Sequence, residues 1–246
     1  MSLSWQALGF SLTKACQDLL FPPRCLGCGL RLARWQRPLF CDACLKEIRP
    51  LRSPYCTTCG IPFAGAGDNH LCGACLRGEC LLDRARAAFV YQGGVVQAIH
   101  GLKYGRQAQA LESFATLVKG SGGLHDLTTP DLVLPVPLHP RRLRQRGFNQ
   151  AEELARSCLP DWQTLLHNDL LLRHYNTPPQ IRLSAVERRR NLAEAFAVPL
   201  PEAVTGHCIL LVDDVMTTGA TLNACAKVLR RAGAKNIAAW TLARTP

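Results

Sequence analysis

No stretch of this chain is long or apolar enough to cross a bilayer, and its first twenty residues lack the small-residue cleavage site of a secretory signal. A Gly-x-x-x-x-Gly-Lys-Ser/Thr loop is also missing, which excludes a P-loop nucleoside triphosphatase. Charged residues make up 19% of the sequence and apolar ones 48%, the proportions of a soluble globular protein. Leu3, Trp5, Leu8, Leu12, Cys16, Leu19 and Leu20 recur at roughly helical spacing, interrupted by Lys14 and Asp18. Residues 1–22 are therefore expected to be a docked amphipathic helix rather than a leader, and the compartment to be the cytoplasm.

What the sequence has in excess is positive charge and cysteine. A formal net charge of +11 favours anionic partners: phosphorylated small molecules, nucleic acid or a membrane surface. Thirteen cysteines are an odd number without an export signal, and most fall into close pairs, which fits metal binding in a reducing compartment better than disulfides.

Four Cys-x-x-Cys pairs lie in one short region: Cys25 with Cys28, Cys41 with Cys44, Cys56 with Cys59, and Cys72 with Cys75. Twelve residues separate the first two pairs and twelve the last two, and the second set repeats the first after 31 residues, as expected of an internal duplication. A Cys-x-x-Cys turn places two thiolates on one side of a metal, and two turns complete the tetrahedral shell of a structural zinc site. Redox dithiols would not need four copies in a duplicated frame. The eight cysteines thus predict two closed, structural Zn²⁺ sites, tandem or crossed in their pairing. A region this short and this rich in proline and glycine has too little apolar side chain to sustain a core unaided, so metal supplies folding energy. Gly29 and Gly60 follow the second cysteine of their turns, where positive φ is often needed. Cys16, Cys80, Cys158, Cys208 and Cys225 fall outside the frame and read as packed thiols.

Beyond Cys80 the composition becomes that of an alternating α/β domain. The expected organisation is a double zinc ribbon over residues 23–81 and an α/β domain over 82–246. Strands are predicted at 87–91, 132–136, 209–212 and 237–242, with helices at 95–102, 110–118, 148–158 and 221–232. The fold class is α/β, a mainly parallel sheet flanked by helices that binds ligands at the carboxyl ends of its strands.

The segment "ILLVDDVMTTGAT" carries the chemistry. Four apolar residues form a buried strand that holds Asp213 and Asp214 at its tip, placed to accept hydrogen bonds from ribose hydroxyls or to approach a metal ion. Val215, Met216, Thr217, Thr218, Gly219, Ala220 and Thr221 then make a loop and helix start. Gly219 lets the backbone approach an anion, while the threonine hydroxyls and free N–H groups bind phosphate oxygens, helped by the helix dipole.

This segment resembles the 5-phosphoribosyl 1-pyrophosphate signature of type I phosphoribosyltransferases. The whole chain resembles the ComF family, in which a double zinc ribbon precedes a phosphoribosyltransferase domain. The likeness includes "FPPRCLGCG", "HGLKYGRQAQAL" and "LPVPLHPRRLRQRGFNQAEELA". It implies a pyrophosphate loop at Pro137, Leu138 and His139, the donor 5-phosphoribosyl 1-pyrophosphate with Mg²⁺, and an association with DNA uptake in natural competence. It leaves the acceptor open.

Arg141, Arg142, Arg144 and Arg146 support an anion site independently, since their forked donors suit a diphosphate or single-stranded DNA. Lys103 is a further phosphate ligand to test. The polar, proline-interrupted segment 173–196 reads as a mobile cover, with Arg188, Arg189 and Arg190 the residues placed to reach in. Two functions follow: a phosphoribosyltransferase of unknown acceptor, with Asp213 and Asp214 as its catalytic acids, or a non-catalytic module that binds a phosphoribosyl ligand or single-stranded DNA and docks partners such as DNA-uptake proteins through its ribbons.

Overall fold

The computed structural model describes residues 22–103, 107–174 and 195–246. The N-terminal helix expected over 1–22 falls almost wholly outside these residues, as do Arg188, Arg189 and Arg190 of the expected cover.

The cysteine-rich part contains two short helices, α1 (Asp42–Glu47) and α2 (Gly73–Leu76), each starting directly after the third cysteine of its set. After it come β1 (Arg84–Val90), α3 (Gly94–Lys103), α4 (Gln107–Lys119), β2 (Leu132–Pro135), α5 (Pro140–Arg146) and α6 (Gln150–Cys158). The chain ends with β3 (Leu172–Arg173), β4 (Phe196–Ala197), β5 (Cys208–Met216), α7 (Ala220–Arg231) and β6 (Asn236–Arg244). Among the described residues no helix is long and apolar enough to cross a membrane.

Four strands form one parallel sheet in the order β1-β6-β5-β2. Alternation along β5 sends Leu210 and Val212 to one face and Ile209 and Leu211 to the other, and both faces are covered, which explains the continuous apolar run. Ile99, Leu102, Phe114 and Leu154 of α3, α4 and α6 cover the first face; Leu222, Cys225 and Leu229 of α7 cover the second. After β2 the chain turns to the first face, and after the adjacent β5 it turns to the second. Between the carboxyl ends of these two strands a crevice opens, the usual ligand site of such sheets.

The ribbons do not stand apart from this core. Leu26, Leu39 and Phe40 of the first are buried together with Val95, Ile99 and Phe114, and the Leu39 N–H donates to Ser113 Oγ at 3.1 Å. Each fully buried side chain of this kind contributes about 2 kcal/mol. The apolar material that the cysteine-rich segment lacks is thus borrowed from helices far along the chain.

Residues 49–51, which link the two ribbons, pair antiparallel with the outer edge of β1: Leu51 N–H donates to Ala88 O and Val90 N–H to Arg49 O, both at 2.9 Å. Further along that edge the Ala85 N–H donates to Thr58 O at 2.6 Å. Gly60 has φ +67°, and a Cβ there would lie 2.6 Å from Ala85 O, so the second ribbon approaches the sheet as closely as glycine permits.

One polar cluster pins that ribbon. Asp126 Oδ2 accepts from Tyr55 Oη at 2.9 Å and from Nε and Nη2 of the buried Arg86 at 3.2 and 3.1 Å, while the Arg86 guanidinium lies 4.9 Å from the Tyr55 ring centre. The Tyr55 hydroxyl, followed by Arg86, holds the Asp126 carboxyl below its ordinary range. A depressed carboxyl stabilises the fold fully above its unfolded value and loses that contribution as pH falls through its folded value. Asp126→Asn is therefore expected to lower the melting temperature at neutral pH. The gap from wild type should close below about pH 4; melting curves across pH 3 to 7 check this, and a gap independent of pH would contradict it.

Candidate phosphate-binding site and cysteine tetrads

β5 is longer than hydropathy suggests. It runs to Met216, and its register with β6 pairs Asp213 with Thr241 and Val215 with Ala243. Asp213 and Asp214 therefore sit within the strand and not at its tip, because the backbone ladder to β6 continues past the apolar residues. Asp213 shares the α7 face with Leu211, near enough for its charge to raise the Cys225 thiol of that helix. Asp213 Oδ1 accepts from Asp214 N–H and Asp214 Oδ1 from Val215 N–H, both at 2.8 Å, which fixes both carboxylates.

The loop beyond them is built for an anion. Thr217 and Thr218 are exposed, and Gly219 caps α7 with φ +77°; a Cβ there would lie 2.7 Å from Met216 Cε. The helix starts at Ala220, one residue earlier than predicted, with Thr218 Oγ1 accepting from Ala220 N–H at 3.3 Å. Positive φ, exposed hydroxyls and the N-terminus of a twelve-residue helix coincide here, as a phosphate requires.

Across the crevice, Pro137, Leu138 and His139 follow β2 and are half-buried. The Val136 N–H donates to Val212 O at 2.8 Å and Asn149 Nδ2 to Val136 O at 3.1 Å, holding the loop against β5. His139 caps α5, its Nδ1 accepting from Arg141 N–H at 3.1 Å. Desolvation, then the charges of Arg173, Arg144, Arg142 and Arg141, lower its pKa. At neutral pH it is a neutral imidazole whose acceptor nitrogen is engaged and whose Nε2 carries the proton. Arg141, Arg142 and Arg144 are exposed and Arg146 half-buried. Lys103 ends α3; its side chain is outside the described residues.

Arg173, which the sequence did not single out, lies near these residues. It opens the segment read as a mobile cover, yet it lies in β3, paired with Phe196 of β4, and its guanidinium is 5.3 Å from that ring centre. Both ends of the segment are thus joined in a short antiparallel ladder. Burial, followed by the charge of Arg142, lowers the Arg173 pKa, and Asp213 opposes this. Arg173 therefore stands within electrostatic reach of the arginine helix, His139 and Asp213, linking both sides of the crevice.

The cysteines pair in tandem. Cys25, Cys28, Cys41 and Cys44 form one group and Cys56, Cys59, Cys72 and Cys75 the other, with the sulfurs of each group within 4.8 Å of one another. Cys28 and Cys41 Sγ are 3.7 Å apart, as are Cys59 and Cys72 Sγ. Zinc–sulfur bonds of about 2.3 Å would give a tetrahedral edge of about 3.8 Å, so the donor set fits the ion. Burial opposes ionisation of Cys56, but N–H groups of Cys72, Cys59 and Thr58 outweigh it and bring the thiol down to about 6; Cys25 likewise falls to about 7. Burial and the neighbouring sulfurs push Cys44 and Cys75 upward. Four crowded sulfurs of this kind become thiolates together when a dication is present.

A double zinc ribbon family model matches residues 16–76 and a phosphoribosyl transferase domain model matches residues 168–246. Competence protein F of Haemophilus influenzae is 34% identical over 227 residues, covering 90% of this chain and 96% of that protein. The chain belongs to the ComF family. DNA utilization protein YhgH of Escherichia coli K12 is 34% identical over 234 residues, covering 92% of this chain and 99% of its own. Competence protein ComFC of Bacillus subtilis is 27% identical over 212 residues, covering 83% and 84%. In this ComF-family chain the phosphoribosyltransferase-like sheet and the two cysteine tetrads are parts of one structure, and α7 holds the exit of the second ribbon: Asn223 Oδ1 accepts from Leu81 N–H and its Nδ2 donates to Glu79 O, both at 2.9 Å.

Proposed function

We propose that this protein binds 5-phosphoribosyl 1-pyrophosphate with Mg²⁺ and transfers its phosphoribosyl group to an acceptor, or to water, in the service of DNA uptake. The observation that carries this is the pairing across the crevice of an acidic strand and glycine-capped anion loop on β5 with His139 and an arginine cluster beyond β2. The 5-phosphate would take the Thr217–Thr221 loop, and the pyrophosphate would lie toward His139 and the arginines, among them Arg141, Arg142, Arg144, Arg146 and Arg173. In the reaction the bond from the anomeric carbon to pyrophosphate breaks, the nucleophile bonds to that carbon, and the leaving group carries away the electron pair. Asp213 and Asp214 orient the ribose and favour the positive charge that develops on it. Asp213 and Asp214 would supply carboxylate oxygens of the kind Mg²⁺ prefers, and the ion would offset charge on the leaving group. The relatives named for competence and DNA utilization support the cellular role.

Isothermal titration with 5-phosphoribosyl 1-pyrophosphate is the deciding test. Saturable, Mg²⁺-dependent binding is expected, and Gly219→Val should abolish it, because the side chain meets Met216 and a β-branched residue is strained at this φ. No heat with the wild type would sink the reading.

A second reading is favoured by the charge of the first ribbon. Arg24, Arg31, Arg34, Arg37, Lys46, Arg49 and Arg52 are all exposed there, against Arg77 alone in residues 53–81. Single-stranded DNA is the polyanion this surface suits. Its binding should weaken steeply with salt, and the slope should flatten when Arg24, Arg31 and Arg34 are neutralised.

A further inference from the structure

Arg244, the last residue of β6, is charged yet only 4% exposed. Its Nη2 donates to Cys59 Sγ at 3.5 Å and its Nη1 to Thr217 O at 3.4 Å. Cys59 belongs to the second tetrad, and Thr217 opens the anion loop. One buried guanidinium thus spans a metal site and a ligand site that are far apart in sequence. Its backbone is equally constrained: Arg244 is in register with Met216 on one side and Val90 on the other, its carbonyl accepts from Tyr91 N–H at 2.7 Å, and the next residue's N–H donates to Met216 O at 3.1 Å.

From this geometry we infer that Arg244 is a positioning residue through which the metal state of the second tetrad sets the shape of the anion loop. A buried guanidinium needs a nearby negative charge or it is strongly disfavoured. Cys59 supplies that charge when it is a metal-bound thiolate. A metal ion fixes where that sulfur sits, so a change at the tetrad moves the guanidinium and, through its Nη1, the Thr217 carbonyl. The peptide that follows carries the Thr218 amide, at the centre of the loop. Asn223 is a second tie between the same two parts: it hydrogen-bonds the chain leaving the ribbon and stands one turn into the helix that the loop caps. The first tetrad has a different surrounding. Cys25 and Cys44 are buried against the α3 and α4 core, and among the described residues no hydrogen bond joins its sulfurs to the anion loop.

The consequence for ligand binding rests on the reading of the loop as the 5-phosphoribosyl 1-pyrophosphate site. Because coupling is reciprocal, the ligand should tighten hold of one metal ion and not the other. The link itself is tested without ligand. Protein loaded with ¹¹³Cd is expected to show two cadmium resonances, and Arg244→Lys, which keeps the charge but lacks the fork, should shift one of them and the Thr218 amide resonance while leaving the other cadmium line in place. Arg244→Met should do the same to a larger extent. In the wild type, exchange of zinc for cadmium, with its longer bonds to sulfur, should by itself move the Thr218 amide, so the test stands even if a variant fails to fold. The proposal is overturned if the Thr218 amide ignores both the metal exchange and a folded Arg244 variant, or if both cadmium lines move equally. With 5-phosphoribosyl 1-pyrophosphate and Mg²⁺ added, Arg244→Lys is expected to bind about fivefold or more weakly. Absence of binding to the wild type would instead remove the ligand reading and leave the metal-to-loop link to be judged on the resonances.

Discussion

Metal analysis of the purified protein is expected to give about two zinc ions per chain, and Cys25→Ser or Cys56→Ser about one. The stability cost should exceed that of any single core substitution. Structural zinc sites contribute on the order of 10 to 16 kcal/mol in small metal-folded peptides, against a total domain stability of roughly 5 to 15 kcal/mol. The two losses should not look alike. Cys25 is buried in the cluster that contains Phe40, Ile99 and Phe114, so losing the first metal should lower the melting temperature of the whole protein. Losing the second should be felt first at the β1 edge, where the Thr58 carbonyl holds Ala85, and at α7, where Asn223 holds the ribbon exit. Zinc quantification with hydrogen exchange distinguishes these outcomes. A Cys25→Ser protein that keeps two zinc ions and an unchanged melting temperature would overturn the structural assignment.

If the protein turns over its donor, neutralising the acidic pair should reduce pyrophosphate release by a factor on the order of 10² to 10³, the usual cost of removing a charge that stabilises a transition state. Asp213 lies on the α7 face, near Arg173 and the fully buried Cys225, and its charge pushes the Cys225 thiol up further, after burial, the main cause. Asp213→Asn is therefore expected to lose activity together with some stability, since Arg173 keeps its burial and loses a compensating charge. Paired measurements of pyrophosphate release and thermal stability test this; an Asp213→Asn protein with an unchanged melting temperature would contradict it.

Local patterns in the sequence were sufficient for much of this. The duplicated cysteine spacing predicted two tetrahedral sets, since each Cys-x-x-Cys turn fixes two donors within four residues. The apolar run at 209–212 and the acids and threonines after it predicted a strand, an anion loop and a helix, because all of that chemistry is contiguous. What escaped depends on contacts between distant residues. The extension of β5 to Met216 rests on backbone pairing with β6, which hydropathy does not report. Arg173, Asn223 and Arg244 carry no motif around them; each matters through a partner in another element, 185 positions away for Arg244 and Cys59. Spacing favoured tandem cysteine pairing but left crossed pairing open, and the folded positions give the tandem sets. The shared core of the first ribbon was hidden for the same reason: Leu39 and Phe40 find their neighbours in α3 and α4.

The antiparallel seam formed by residues 49–51 along β1 bears on how this chain can be divided. A cut near residue 82 would follow the change in composition, yet it would strip the sheet's outer strand of its cover and leave a bare row of hydrogen-bonding groups. Such an edge recruits other chains. The catalytic-looking half, expressed alone, would be expected to self-associate, so the ribbons work as a permanent guard rather than as a detachable module. Synthesis from the N-terminus makes that guard before the strand it protects.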